Sequence, residues 1–173
     1  MTLTTRIAFP LEGDKEVFRT ESVIRFQDDG ESWQHYAYRQ EPGAAEASSV
    51  RTEDGFGENT LPSYGEYLLL MDVIGSGAAS EQYWRIQDSD PSAKPSQAEV
   101  RAAGIENVEL PDGPQDCRRY DILEAGARVG SHWATAAGLV RSDWNGPVSF
   151  HQSKEVVLGG LDPTISEFLV SGF

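Results

Sequence analysis

The sequence lacks most of the features that would assign a function directly. It has one cysteine, Cys117, so no disulfide can form within the chain and the fold does not depend on an oxidising compartment. Its longest apolar run, Tyr67 to Ile74, is interrupted by Asp72 and falls short of the roughly 20 residues that a membrane helix needs. The first residues lack the charged and apolar regions of a signal peptide. These absences predict a soluble protein that is made in the cytoplasm.

Positive charge is also scarce. Lys and Arg total 14 against 28 Asp and Glu, which gives a net charge of -14. Such a field repels phosphate backbones and anionic lipid surfaces, so the sequence predicts neither a nucleic-acid partner nor a membrane partner. One function that suits this charge is that of an acidic inhibitor or immunity protein, which would occupy a basic surface on its partner.

We find no catalytic or metal-binding motif among residues that are close together in the sequence. The three histidines, His35, His132 and His151, do not stand at the short spacings that hold a metal ion. The nucleophile motif G-x-S-x-G is missing, and Cys117 reads as a small buried side chain rather than as a reactive thiol. We therefore predict no catalytic residue, no metal and no cofactor. The sequence leaves enzyme activity uncertain and favours a protein without it.

Strand signals are what the sequence does contain. From Val17 to Phe26 apolar and polar residues alternate, which is typical of a strand with one solvated face. Asp28-Asp29-Gly30 has turn chemistry, and the aromatic segment Trp33 to Arg39 then predicts a returning strand. A second hairpin is predicted around Asn145-Gly146.

Further strands are predicted along the rest of the chain. We expect Tyr67–Ile74 to be a central strand that pairs with Gln82–Gln87 across a glycine-rich turn. The remaining predicted strands are Ile105–Leu110, Arg119–Leu123, Ala125–Val140, Val148–Phe150, Val156–Leu158 and Ile165–Val170.

One short helix is predicted at about 97–103. Ser96 and Glu99 have the spacing of a capping box, and Gly104 is placed to end the helix. The fold class that follows is mainly β, a single-domain antiparallel sandwich or barrel over residues 1–173. Residues 41–63 lack the hydrophobic periodicity of a helix or a strand, which predicts a long loop. A partner could contact the protein at this loop.

The first functional hypothesis is a non-enzymatic structural or interaction subunit of a larger assembly, such as a virion or a phage tail, neck or decoration component. Its partners would be other protein subunits in a homo- or hetero-oligomer. The apolar end of the chain would add a strand to a neighbouring sheet. The residues predicted to contact the partner are Phe168, Val170 and Phe173.

The alternative hypothesis is a small β-barrel that binds or transforms a small apolar ligand. Such a barrel would line a cavity with aromatic side chains and place an imidazole as its polar group. The same aromatic residues would equally serve as core residues and cross-strand pairs. The predicted ligand-binding residues are Trp33, His35, Tyr36, Trp84, His132 and Trp133.

Overall fold

The computed structural model describes residues 2–10, 17–26, 33–41, 48–51, 59–87 and 94–172. Within these residues the chain forms eleven strands and three short α-helices, so the predicted mainly β fold is confirmed. None of the helices in this described part is both long enough and apolar enough to cross a membrane.

The first sheet contains four strands in the order β1-β2-β3-β4. The predicted first hairpin is confirmed, because β2 and β3 pair antiparallel, with Ile24 opposite Tyr36. Alternate residues of β2 are buried as far as Phe26, which is why the period of two was visible in the sequence. The turn predicted at 28–30 lies outside the described residues. The four strands are β1 (Thr2–Pro10), β2 (Val17–Phe26), β3 (Trp33–Glu41) and β4 (Ser48–Arg51).

The second sheet contains seven strands in the order β11-β10-β9-β8-β7-β6-β5. From β7 to β11, strands that follow each other in the chain pair antiparallel. The predicted turn at Asn145-Gly146 is confirmed, since both residues have positive φ (62° and 144°) and β11 returns along β10. The seven strands are β5 (Thr60–Pro62), β6 (Ser80–Ile86), β7 (Ser96–Leu110), β8 (Gly113–Glu124), β9 (Ala127–Thr135), β10 (Gly138–Asp143) and β11 (Val148–Phe150).

The chain divides into two compact units. Unit 1 comprises Met1–Gly65, Arg85–Pro95 and Leu158–Phe173, and unit 2 comprises Glu66–Trp84 and Ser96–Val157. That residues 1–173 form a single domain stays a prediction. The long loop predicted at 41–63 is corrected in part, because β4 and β5 lie within it. Residues 42–47 and 52–58 of that segment lie outside the described residues.

The predicted helix at about 97–103 is wrong, because these residues belong to β7. Ala98 and Val100 are both buried, and the strand pairs with β8 along its length. The residues that suggested a capping box have other partners, since the Ser96 hydroxyl donates to Glu124 and Glu99 pairs with Arg101. Gly104, at φ +122°, lies where the register of the ladder shifts, so it permits a bulge instead of ending a helix.

The predicted central strand Tyr67–Ile74 is also wrong, because these residues form helix α1 (Glu66–Ser76). A short apolar run fits a buried strand and a buried helix equally well. Leu70 and Val73 are the buried positions, and their spacing of three is helical. The predicted hairpin between this segment and Gln82–Gln87 therefore does not form, although the second strand is confirmed as β6.

The last two predicted strands are helices as well. Val156–Leu158 lies in α2 (Lys154–Gly159), and Ile165–Val170 lies in α3 (Pro163–Ser171). The Asp162 carboxylate caps α3 by accepting from the Thr164 amide at 2.8 Å. The predicted C-terminal strand that would extend a neighbouring sheet is thus corrected to a helix.

Helix α3 is held within unit 1. Phe168 is buried, and the Arg19 guanidinium lies 5.6 Å from the centroid of its ring. Arg6 donates to the Val170 carbonyl at 2.9 Å and pairs with Glu21 at 2.6 Å. Of the three residues predicted to contact a partner, Phe168 is a core residue of its unit and Val170 is exposed. Phe173 lies outside the described residues.

Candidate functional site

Three polar side chains of unit 2 meet at the hydroxyl oxygen of Ser142. The Oγ atom lies 2.9 Å from His132 Nδ1, 3.0 Å from His151 Nε2 and 3.4 Å from the Tyr67 hydroxyl. His132 and Ser142 are both 0% exposed. We call Tyr67, His132, Ser142 and His151 the Ser142 cluster.

The sheet register brings this cluster together. His132 on β9 and Ser142 on β10 are directly opposite each other in the antiparallel ladder. His151 follows β11, and its amide donates to the Val140 carbonyl at 3.0 Å, which extends the pairing of that hairpin. Tyr67 comes from the first turn of α1. Elements that are far apart in the sequence therefore supply one buried polar group.

Trp144 packs against the Ser142 cluster from the turn between β10 and β11. Its ring meets the His132 ring at 4.7 Å with an interplanar angle of 76°, and the Tyr67 ring at 5.5 Å with an angle of 62°. Both contacts have the edge-to-face geometry that aromatic pairs prefer. The indole thereby keeps His132 and Tyr67 in fixed orientations.

The hydrogen-bonding capacity of Ser142 decides which ring nitrogens carry protons. A hydroxyl has one donor and two acceptor positions, so it can donate to one imidazole while it accepts from the other and from a phenol. His132 Nε2 is buried without a hydrogen-bond partner and belongs to the ring that meets Trp144 edge to face. We infer that Ser142 donates to His132 Nδ1, which places the His132 proton on Nε2.

Burial keeps the two imidazoles neutral. The pKa of His132 is lowered from 6.5 to about 4, chiefly by burial and in part by the nearby His151, while Asp121 and Asp143 oppose the shift. Burial also lowers the pKa of His151 and raises that of Tyr67, and the hydrogen bond to Ser142 partly offsets the latter. Because Ser142 is fully enclosed, a substrate cannot reach its oxygen. The geometry therefore fits a structural network and not a nucleophilic serine.

A solvent-facing cleft lies near the same two strands. Its volume is about 330 Å³. Neighbouring residues on a strand point to opposite faces, so Ser131 and Trp133 point away from the side of β9 that carries His132. We call this site the β9–β10 cleft. Its lining residues are Arg128, Gly130, Ser131, Trp133, Arg141, Asp143, Asn145 and Gly146.

Charged side chains bond to residues that line the β9–β10 cleft and hold them in place. The indole N–H of Trp133 donates to Glu106 at 3.0 Å, and Arg119 pairs with the same carboxylate. The Ser131 hydroxyl donates to Asp121 at 2.6 Å. The Arg141 guanidinium lies over the Trp133 ring at 4.6 Å, a cation–π contact that fixes both side chains.

The six residues predicted to bind a ligand lie on three strands, β3, β6 and β9. Three of them, Trp33, His35 and Tyr36, lie on β3 in unit 1, and their side chains are outside the described part. In unit 2, Trp84 is exposed on β6, while His132 and Trp133 are neighbours on β9 and point to opposite faces. That these residues bind an apolar ligand stays a prediction.

Sequence reasoning missed the partners of His132. Ser142, His151 and Tyr67 show no local spacing to His132 that indicates an interaction, because strand pairing and helix packing bring them together. The Asn145-Gly146 turn was the one available signal, since it predicts that the residues on either side of it come close.

Two further sites can be described. Cys117 is buried, and burial raises the pKa of its thiol, with Asp116 adding to the effect, so the side chain is poorly suited to nucleophilic chemistry. Over the residues that the structure describes, no three His, Cys, Asp or Glu side chains are grouped so that they could hold a metal ion.

Comparison with known proteins gives a distant structural likeness. No family model matches the chain, and no curated protein matches it. Among solved structures, the chain is similar to a β-barrel-like protein of the domain of unknown function DUF1849 from Brucella abortus. The two are 12% identical, with a TM-score of 0.49, and the match covers 88% of this chain and 82% of that chain.

Proposed function

We propose that this protein is a non-enzymatic interaction subunit that associates with a second copy of itself through the exposed edge at β11. The observation that carries the proposal is an apolar patch on an edge strand. In the described sheet β11 pairs only with β10, and its Val148 and Phe150 side chains are 45% and 43% exposed. An edge strand presents backbone N–H and C=O groups that another strand can pair with.

Further exposed apolar residues follow β11 in the sequence. Val156 and Val157 on α2 are 60% and 40% exposed, and helix α2 buries none of its own residues. Val148 and Phe150 lie two positions apart and therefore share one face of β11. An exposed apolar face of this kind is typical of a surface that a partner covers.

The charge pattern favours a second copy as the partner. Residues 144–153 contain no Asp, Glu, Lys or Arg, although the whole chain has a net charge of -14. Two copies can therefore meet at this edge without placing like charges in direct contact. Two identical edges related by a twofold axis form a self-complementary, closed interface. The larger assembly expected from the sequence, of which a virion component is one example, would be built on this contact.

The test is the mass in solution of the purified protein, measured by light scattering over a range of concentration and salt. We expect a dimer that becomes more stable as salt rises, because salt screens the repulsion between two acidic chains. Phe150→Glu should shift the protein to monomer, since it places two like charges at the contact. Ile105→Glu is the matched control, because Ile105 is 68% exposed on β7 of the same unit.

Each outcome bears on the proposal directly. A dimer that Phe150→Glu disrupts and Ile105→Glu leaves intact supports the β11 edge. A monomer at every concentration and salt overturns self-association. A complex with a basic partner that salt weakens would instead favour the acidic inhibitor hypothesis.

A further inference from the structure

We propose that the β9–β10 cleft binds a small hydroxylated anion, whose carboxylate or phosphate group is held by Arg128 and Arg141. This site is independent of the β11 edge and does not require self-association. Its ligand class follows from the charge, the hydrogen-bonding groups and the size of the cleft.

The residues that line the cleft carry a net positive charge in a strongly acidic chain: two arginines against one carboxylate, that of Asp143. The two carboxylates bonded to lining residues, Glu106 and Asp121, are both paired with Arg119. Several other arginines in the described structure pair with acids, as Arg101 does with Glu99. Arg128 and Arg141 have no carboxylate partner within the described residues. Guanidinium groups bind carboxylate and phosphate through paired hydrogen bonds, so an anion is the ligand that suits them.

Arg141 is held in place before any ligand arrives. Its guanidinium packs on the Trp133 ring, and Trp133 is itself fixed by its hydrogen bond to Glu106. The Arg141 Nε atom is buried and has no hydrogen-bond acceptor in the described structure. A positioned side chain loses little conformational entropy when a ligand binds, which favours affinity.

Hydroxyl groups on the ligand would meet acceptors in the same cleft. One oxygen of Asp143, Oδ1, accepts from the amides of Asn145 and Gly146 at 3.0 and 3.2 Å. The second oxygen has no partner in the described part of the chain. Ser131 uses its proton for Asp121, so its lone pairs can also accept. The volume of about 330 Å³ stands at the lower end of the range of about 300–1,000 Å³ for small-molecule sites.

The test is a titration of the ¹⁵N-labelled full chain, followed by the chemical shifts of the Gly130, Ser131 and Gly146 amides and the Trp133 indole. The probes are glucose 6-phosphate and gluconate as hydroxylated anions, inorganic phosphate as an anion without hydroxyls, and glucose as the uncharged comparison. We expect both hydroxylated anions to shift these signals. The tighter of the two identifies the preferred acidic group.

Substitutions test whether the two arginines contribute to binding, apart from any effect on folding. Arg128→Gln and Arg141→Gln should each weaken binding of the better probe by about tenfold or more, because each removes a charge-assisted contact. Arg128 is exposed and has no described structural contact, so its variant remains informative if Arg141→Gln fails to fold. Arg118→Gln is the matched control, since Arg118 is exposed on β8 and does not line the cleft.

The proposal is overturned if neither hydroxylated anion shifts the cleft signals, or if glucose shifts them equally. It is also overturned if inorganic phosphate binds as tightly as glucose 6-phosphate, because the acceptors would then contribute nothing. Equal loss of binding in Arg118→Gln and Arg128→Gln would show general attraction to surface charge and would likewise contradict it.

Discussion

The buried imidazole of His132 should make the stability of this protein depend on pH. In the unfolded chain the imidazole takes up a proton as the pH falls through its ordinary pKa of 6.5, whereas in the folded protein it does so near 4. Between these values the unfolded state binds more protons, so acid favours unfolding. The contribution of His132 to the free energy of unfolding is fully present above pH 6.5 and is lost progressively as the pH falls to about 4.

The size of the effect follows from the pKa difference. A difference of about 2.5 pH units at roughly 1.4 kcal/mol per unit gives roughly 3.5 kcal/mol for His132, of which roughly 3 kcal/mol is lost by pH 4. His151 acts in the same direction, because burial lowers its pKa as well. The main physical cause is burial, which disfavours the charged imidazole, and the neighbouring His151 adds to the effect.

The assay is denaturant unfolding at a series of pH values between 8 and 4, followed by tryptophan fluorescence. His132→Asn removes the titration but keeps an amide near the position of Nδ1, so it can still bind Ser142. We expect the variant to be less stable than the wild type at pH 8. The difference in free energy of unfolding between the wild type and the variant should then narrow by about 3 kcal/mol as the pH falls to 4. A difference in free energy of unfolding that stays constant over this pH range would refute the reasoning.

Two further predictions concern packing. Gly172→Ala should cost about 1–3 kcal/mol, because φ is +82° and the new Cβ would lie 2.2 Å from a Glu21 oxygen. Gly159→Ala is its control and should be nearly neutral in thermal unfolding, since nothing lies within 4 Å. Tyr83→Phe should cost about 1.5–3 kcal/mol in denaturant unfolding, because it removes the 2.6 Å hydrogen bond to the buried Glu66 carboxylate. An unchanged unfolding midpoint in Gly172→Ala would contradict the steric argument. An unchanged midpoint in Tyr83→Phe would contradict a stabilising role for the hydrogen bond to Glu66.

Periodicity and turn residues in the sequence predicted two of the three expected hairpins correctly and the helices poorly. The alternation from Val17 to Phe26 survives in the structure, because one face of β2 is buried. The run Tyr67–Ile74 contains no such alternation, and tertiary packing made it a helix. Asp162-Pro163 was a usable signal for α3, since an acidic N-cap followed by proline is typical of a helix start.

The candidate sites were less accessible to sequence reasoning than the fold. His132 and Trp133 could be singled out by residue type, but their roles depend on the strand face that each occupies. The Ser142 cluster needs the register of β9 with β10 and the position of α1, neither of which a pattern in one sequence specifies. Arg128 and Arg141 are thirteen positions apart and share a cleft only because a hairpin folds one strand beside the other.

The bond between Arg6 and Val170 also bears on the order in which the protein acquires its structure during synthesis. The two residues are 164 positions apart, and unit 1 is assembled from segments at both ends of the sequence. The segments of unit 2 leave the ribosome earlier than the last part of unit 1. We therefore expect unit 2 to begin folding before α3 has been made, and the hydrogen bond between Arg6 and Val170 to form only afterwards.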